Sequence, residues 1–353
     1  MAKRSRKKEE QPVESLPDDL LVEVLARVPY RSLCHFKCVS KPWLALCSDP
    51  GLRKRSPQAL SGFFCYARRD RKHELPFLEL PGRGQALVDP GLPSVRGTWD
   101  GGVQTVDCCG GLLLCQCWKK PSRAGSAGVE YVVCNPATEE WTLVPSTKQL
   151  HPNKKNIVRL AFDPLVPSRF AVFVLVRGHG ITRVEIFSSE TGWWISKESE
   201  WRNRTSVDYH NCSVSVFFGG ALHLTTHDSF VITVDMDGNT WRKLRMPLSL
   251  ADTSDYVWVL EDYASGQWTL KHTADMSGMI GHDEVCTFVA VDMERKSIFF
   301  QTNRWNEKPV SYHMENQRCR VIFSFERDFN LRCEPYIPSY MEWLSDGLLK
   351  AAP

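Results

Sequence analysis

Chemistry in this chain would have to come from a few clusters of reactive side chains. Cys108, Cys109, Cys115 and Cys117 come nearest to a metal-ligand set, but no two of the 13 cysteines stand in a Cys-x-x-Cys spacing. Cys115 and Cys117 would share one face of a strand, which is also how small buried hydrophobes are arranged, and that reading is preferred. His223 and His227, four apart on a strand, offer one face to a metal without a third ligand, and packing accounts for them better. The paired acids Asp18-Asp19, Glu139-Glu140 and Glu261-Asp262 each fall at a helix start or a turn, where solvated carboxylates are ordinary. No phosphate loop ending in Gly-Lys-Ser/Thr, no Gly-x-Ser-x-Gly elbow and no His-Glu-x-x-His helix is present. Gly82-Arg83-Gly84 and Gly178-His179-Gly180 are isolated turns. The residues therefore nominate no catalytic, cofactor-binding or metal-binding group, and the chain reads as a non-enzyme.

The elements around these residues must serve another purpose. The 353 residues are 42% hydrophobic and 24% charged, which is globular composition and excludes wholesale disorder. At ~150 residues per domain, two domains are expected, or one large β architecture with a small appendage. The longest apolar run, Phe170 to Val176, is far short of the ~18 residues of a membrane span, so no membrane partner is expected. Formal net charge is +3, and residues 1–10 hold five basic and two acidic side chains, so the remainder carries none. A body without net charge is a poor nucleic-acid partner, because phosphate affinity comes from neutralisation. The basic start lacks an apolar segment behind it and is not read as a secretory signal; the cysteines are then expected as thiols in a reducing compartment.

Residues 1–14 read as a disordered basic tail, in which Lys3-Arg4-Ser5-Arg6-Lys7-Lys8 has the composition of a nuclear-import signal. At Ser15 the pattern changes. Ser15-Leu16-Pro17-Asp18-Asp19 is a helix start, with Pro in the first turn and acids at the positive dipole end. Leu20, Leu21, Val24, Leu25 and Val28 form a broad apolar stripe, and Pro29 ends the helix. Ser32 is expected to cap a second helix with Leu33, Phe36 and Val39, and Ser40-Lys41-Pro42 to open a third with Trp43, Leu44 and Leu46. Asp49-Pro50-Gly51 reads as a stop. Three short helices cannot bury all these side chains among themselves, and each one fully buried is worth ~1.5–3 kcal/mol. They need another surface, either the rest of this chain or a second protein.

The run Leu16-Pro17-Asp18-Asp19-Leu20-Leu21, the central Pro29, Ser32-Leu33, Lys37-Cys38-Val39-Ser40-Lys41 and Trp43 closely resemble the F-box, over residues 15–55. Departures are mild: Val28 stands where Leu is usual and Ser40 where Cys is frequent. The resemblance implies docking on a Skp-family adaptor, which bridges to a cullin. The adaptor-binding set it implies is Leu16, Pro17, Leu20, Leu21, Val24, Leu25, Val28, Leu33, Phe36, Val39 and Trp43, the last four by direct contact or by locking the helices together.

From residue 60 to 345 helical periodicity gives way to short β-rich runs separated by Gly, Pro, Asn and Asp turns. A weak repeat recurs: Asn135 to Trp141, Ser188 to Trp194, Asp235 to Trp241 and Asp262 to Trp268, with Val291 to Phe299 as a degenerate copy carrying Phe for Trp. Each reads as a hairpin whose first turn residue bonds back to its own turn while the Trp packs beneath. Phe218-Gly219-Gly220-Ala221 parallels Cys109-Gly110-Gly111-Leu112. The Asn135-Pro136-Ala137-Thr138 motif, Phe162-Asp163-Pro164 and Trp258 to Tyr263 resemble the kelch-like F-box-associated region of plant, grass-type F-box proteins. Residues 119–130 and 146–157 read as exposed loops, and basic stretches at Arg68–Lys72, Lys119–Arg123 and Lys148–Lys155 as possible contacts for an acidic partner or plain solvated loops. The sequons at Asn203 and Asn211 read as chance.

The expected fold is mainly β with a small α part: a three-helix F-box, then an irregular β-propeller of about six blades, with five or seven allowed and a sandwich as runner-up. The implied function is a substrate receptor in a cullin–RING ubiquitin ligase of the nucleus or cytoplasm, with an unknown target protein and no cofactor. A scaffold using the F-box outside a ligase, and a propeller enzyme, are the alternatives.

Overall fold

In the computed structural model the chain divides into two compact units, Met1–Gln58 and Ala59–Pro353. The structure describes residues 16–28, 30–55, 60–67, 77–80, 89, 91–119, 128–150, 156–164, 166, 169–201, 205, 207, 215–226, 228–247, 254–275, 286–292, 295–302, 309–323 and 331–340. The N-terminal tail, Ser15, Pro29, Gly82 to Gly84, Asn203, Asn211, His227 and the stretch Arg68–Lys72 lie outside them.

The first unit is helical: α1 (Asp18–Leu25), α2 (Tyr30–Phe36), α3 (Lys41–Cys47) and α4 (Pro50–Arg55). Pro17 is the N-cap of α1, with Asp18 and Asp19 in its first turn. Ser40 caps α3 as expected, accepting a hydrogen bond from the Trp43 N–H at 3.4 Å. Two expectations fail. Ser32 lies inside α2 rather than at its cap. Asp49-Pro50-Gly51 ends α3 but also starts α4, because the Asp49 carboxylate accepts from the Leu52 N–H at 2.9 Å and Pro is tolerated in a first turn.

Among its described residues the second unit is β, apart from one short helix. It begins with β1 (Gly62–Ala67), β2 (Phe77–Glu79) and α5 (Pro93–Arg96). One antiparallel meander follows of β3 (Gly102–Cys109), β4 (Leu112–Trp118), β5 (Val129–Asn135) and β6 (Glu140–Val144). The next is β7 (Ile157–Phe162), β8 (Phe170–Arg177), β9 (Ile181–Ser188) and β10 (Trp194–Glu198). A third is β11 (Ser215–Phe218), β12 (Ala221–Thr225), β13 (Phe230–Asp235) and β14 (Trp241–Arg245). A long hairpin, β15 (Ser254–Asp262) and β16 (Gln267–Asp275), precedes the last meander, β17 (Cys286–Asp292), β18 (Ser297–Thr302), β19 (Pro309–His313) and β20 (Arg318–Val321). The final strand, β21 (Leu331–Tyr336), pairs with β1, so the closing sheet reads β2-β1-β21.

The ends of these sheets adjoin in sequence: β21 lies by β3, β3 by β7, β7 by β11, and β17 by β21. This is a β-propeller closed by its first and last strands. Counted by sheets of three or four strands among the described residues it has five blades, within the range the sequence allowed, and the β15–β16 hairpin stands as a further two-stranded element.

Strand alternation fills the gaps between blades. Leu112 and Leu114 of β4 pack with Val158, Leu160, Phe170 and Val172 of the following blade. Leu113, Cys115 and Cys117 of the same strand pack the other way, with Phe64 and Tyr336 of the closing sheet. The strand is buried on both faces, and its near-continuous apolar run follows from that.

Candidate protein-docking site

The apolar stripe along α1 and the residues flanking it divides into two rows. Leu16, Leu20 and Val24 follow at steps of four and are each 54% exposed. Leu25 is buried at 2%, and Leu21 and Val28 are half-buried. Pro17 is exposed. In the next helices Leu33, Cys47 and Leu52 are buried, while Val39, in the turn between α2 and α3, is exposed. Phe36 and Trp43 are half-buried and meet edge to face, with ring centroids 5.5 Å apart, which ties α2 to α3. Leu44, outside the expected set, is 49% exposed. Its position was readable: Trp43 and Cys47 share the inward face of α3, and Leu44 lies one step of 100° away.

Expected and observed sites thus separate by role. Leu16, Pro17, Leu20, Val24 and Val39 present solvent-facing apolar surface. Leu25 and Leu33 are packing residues. Leu21, Val28, Phe36 and Trp43 stand between. A polar clasp borders the row on α1: Glu23 accepts from Arg55 of α4 at 2.5 Å and from Arg27 at 3.3 Å. The Arg55 hydrogen bond holds the Glu23 carboxyl below its usual range. What this surface can do is bury leucine and valine against a partner.

In the propeller four of the five repeated turns are built as the sequence suggested. Asn135 accepts from the Ala137 N–H at 3.0 Å, Asp235 from Asn239 at 2.8 Å, Asp262 from Ala264 at 2.8 Å and Asp292 from Arg295 at 3.1 Å. The tryptophans are half-buried beneath: Trp141 against Trp99, Trp241 against Trp201. Trp194 and Trp268 donate to the Pro145 and Arg245 carbonyls at the end of the preceding blade, at 2.9 and 3.0 Å. One correction follows from the register. Trp141 pairs with Cys134, and the equivalent pair is Val291 with Ile298, so Ile298 replaces Trp in the degenerate copy. Phe299 faces the other way, into the cluster with Phe63 and Cys333.

The reactive clusters are packing devices. Cys115 and Cys117 lie buried in one apolar cluster with Cys134. Burial pushes the Cys109 thiol up to about 12, and raises Cys108 and Cys117 as well, which keeps them protonated rather than thiolate. Cys108 and Cys109 donate to the Pro335 and Phe162 carbonyls. Among the described residues no three His, Cys, Asp or Glu side chains stand where they could hold one metal ion, and no helix is long and apolar enough to cross a membrane. His223 is taken up by Tyr263, 2.6 Å from its Nε2.

Comparison with known proteins agrees with this arrangement. The family model described as F-box domain matches residues 13–55, so the helical unit is an F-box domain joined to a β-propeller. An F-box protein of Arabidopsis thaliana is 31% identical over 227 residues, covering 58% of this chain and 50% of its own length. A second is 24% identical over 306 residues, covering 72% of this chain and 77% of its own. An F-box/kelch-repeat protein of the same plant is 24% identical over 319 residues, 76% of this chain and 72% of its own. The chain thus spans only half the length of the first of these relatives. Neither the matched domain nor these names point to an enzymatic family. Among solved structures, a chain of the mitotic checkpoint complex aligns over 73% of this chain and 88% of its own, at 8% identity and a TM-score of 0.38, which carries no argument.

Proposed function

We propose that the protein is a substrate-receptor subunit of an SCF-type cullin–RING ubiquitin ligase. The F-box docks on a Skp-family adaptor, and the propeller holds the target protein. The observation that carries this reading is the exposed row Leu16, Leu20 and Val24, with Val39 and Leu44 also exposed, on a unit matched by the F-box model. A fold that exposes five large apolar side chains on some forty residues gains by covering them, because burying each contributes on the order of 1 kcal/mol or more. In this reading ubiquitin transfer belongs to another subunit.

The test is co-expression of the full chain with a plant Skp-family adaptor. Wild type should co-purify with the adaptor, and Leu20→Asp with Val24→Asp should abolish co-purification while the thermal unfolding of the propeller is unchanged. Both positions are exposed, so the double variant leaves packing intact. Retained co-purification refutes the reading.

A further inference from the structure

The first and last strands of the propeller meet at two thiols. Cys65 of β1 and Cys333 of β21 are direct partners in the antiparallel register, and their Sγ atoms are 2.9 Å apart. Each residue is 6% exposed, in a cluster with Phe63, Leu78 and Phe299. Directly opposed residues on antiparallel strands have Cα atoms about 4.5 or 5.5 Å apart, within the ~4.4–6.8 Å that a disulfide spans. The sulfurs need to close only to about 2.04 Å to bond. Among the described residues a second close thiol pair, Cys115 and Cys134, lacks this arrangement. Cys115 is opposite Val132 and Cys134 opposite Leu113, so the two are diagonal, and their sulfurs are 3.9 Å apart.

We propose that Cys65 and Cys333 are an oxidative modification site, at which hydrogen peroxide forms a disulfide that staples the propeller shut. One thiol, as thiolate, attacks a peroxide oxygen; the O–O bond breaks, and sulfenic acid and one water result. The second thiol attacks that sulfur, the S–O bond breaks, and the hydroxyl leaves with a proton as a second water. Two sulfurs lose one electron each, and both peroxide oxygens are reduced. Peroxide is little larger than water, and transient fraying of the closing sheet admits it. The bond would join positions 268 residues apart, which makes it a long-loop cross-link placed where the ring is sealed. A thiol reductant reverses it.

The experiment treats the full chain, purified with its adaptor, with graded hydrogen peroxide. The protein is then alkylated after unfolding, digested without reduction and analysed by mass spectrometry. The expected product is one peptide pair joined through Cys65 and Cys333, lighter by two hydrogens than the separate peptides and released by dithiothreitol. The oxidised protein should unfold about 5 to 10 °C higher than the reduced. Cys65→Ser should lose this shift, and Cys134→Ser should keep it. Separate alkylation of Cys65 and Cys333 at every peroxide level, or bonding of either to another cysteine, overturns the proposal. The wild-type peptide readout decides the matter even where Cys65→Ser fails to fold.

Discussion

The Tyr263 hydroxyl donates to Nε2 of His223 across 2.6 Å, joining the turn of the β15–β16 hairpin to the third meander. His223 Nδ1 lies 3.0 Å from the Ala221 carbonyl, which fixes that nitrogen as the donor and leaves Nε2 to accept. The Arg242 guanidinium lies over the Tyr263 ring, 5.1 Å from its centre, so the phenol has both a cation and an imidazole as neighbours. Burial draws the His223 pKa below its usual 6.5. The folded protein therefore favours neutral imidazole, and this contribution is full above about pH 6.5 and declines as pH falls through that value toward the folded pKa. Thermal midpoints at pH 7.5 and 5.5 should differ by more in wild type than in His223→Gln. Equal differences would show that the imidazole is not linked to folding.

The two rows of the F-box predict opposite phenotypes. Leu33→Ala leaves a cavity at a fully buried site and should cost about 2–5 kcal/mol, melting the helical unit. Leu20→Ala removes a half-exposed side chain and should change stability by only about 0.5 kcal/mol. Its effect should fall on adaptor affinity, weakened about tenfold. Far-ultraviolet circular dichroism with titration calorimetry separates the two.

Asn135 uses both ends of its amide. Its carbonyl oxygen caps its own turn, and its NH2 donates to the Ser339 carbonyl at 2.8 Å, with the side chain fully buried. Asn135→Ala strands the Ser339 carbonyl and should cost about 1–3 kcal/mol in urea unfolding. Asn135→Asp should cost more, since it removes the donor and buries a carboxylate facing a carbonyl.

The paired glycines test close approach against backbone strain. Gly110-Gly111 and Gly219-Gly220 all have positive φ and make equivalent turns. A Cβ on Gly220 meets nothing within 4 Å, whereas one on Gly111 would lie 2.6 Å from the Ile337 carbonyl. Gly220→Ala should cost about 1 kcal/mol from strain alone, and Gly111→Ala at least about 2 kcal/mol, by displacing residues 337–339. Equal costs would mean that this segment yields freely.

Local patterns were legible wherever a short-range force sets them. The Asx turns at Asn135, Asp235 and Asp262, the glycine pairs and the helix opening at Ser40 follow from neighbouring residues. Ser32 suits a cap by type but falls in mid-helix, and Asp49-Pro50-Gly51 both stops one helix and starts the next. The division of α1 into Leu16, Leu20 and Val24 outside and Leu25 inside needs the positions of the other helices. The turn from His313 to Arg318 has no Asp and no Trp, yet Gln317 takes the left-handed conformation and Cys319 stands opposite Tyr312, as Trp141 stands opposite Cys134. No pattern within one strand tells that β21 returns to β1.

That return sets a schedule for biosynthesis. A ribosome adding about 5–20 residues per second needs roughly 15–50 s to travel from β1 to β21. Throughout that interval β1 lacks the neighbour that completes its ladder, while the F-box helices have already emerged. A nascent chain is therefore vulnerable to chaperone capture or proteolysis until residues 331–336 have been added, and a premature stop shortly before residue 331 should be about as damaging as one far upstream.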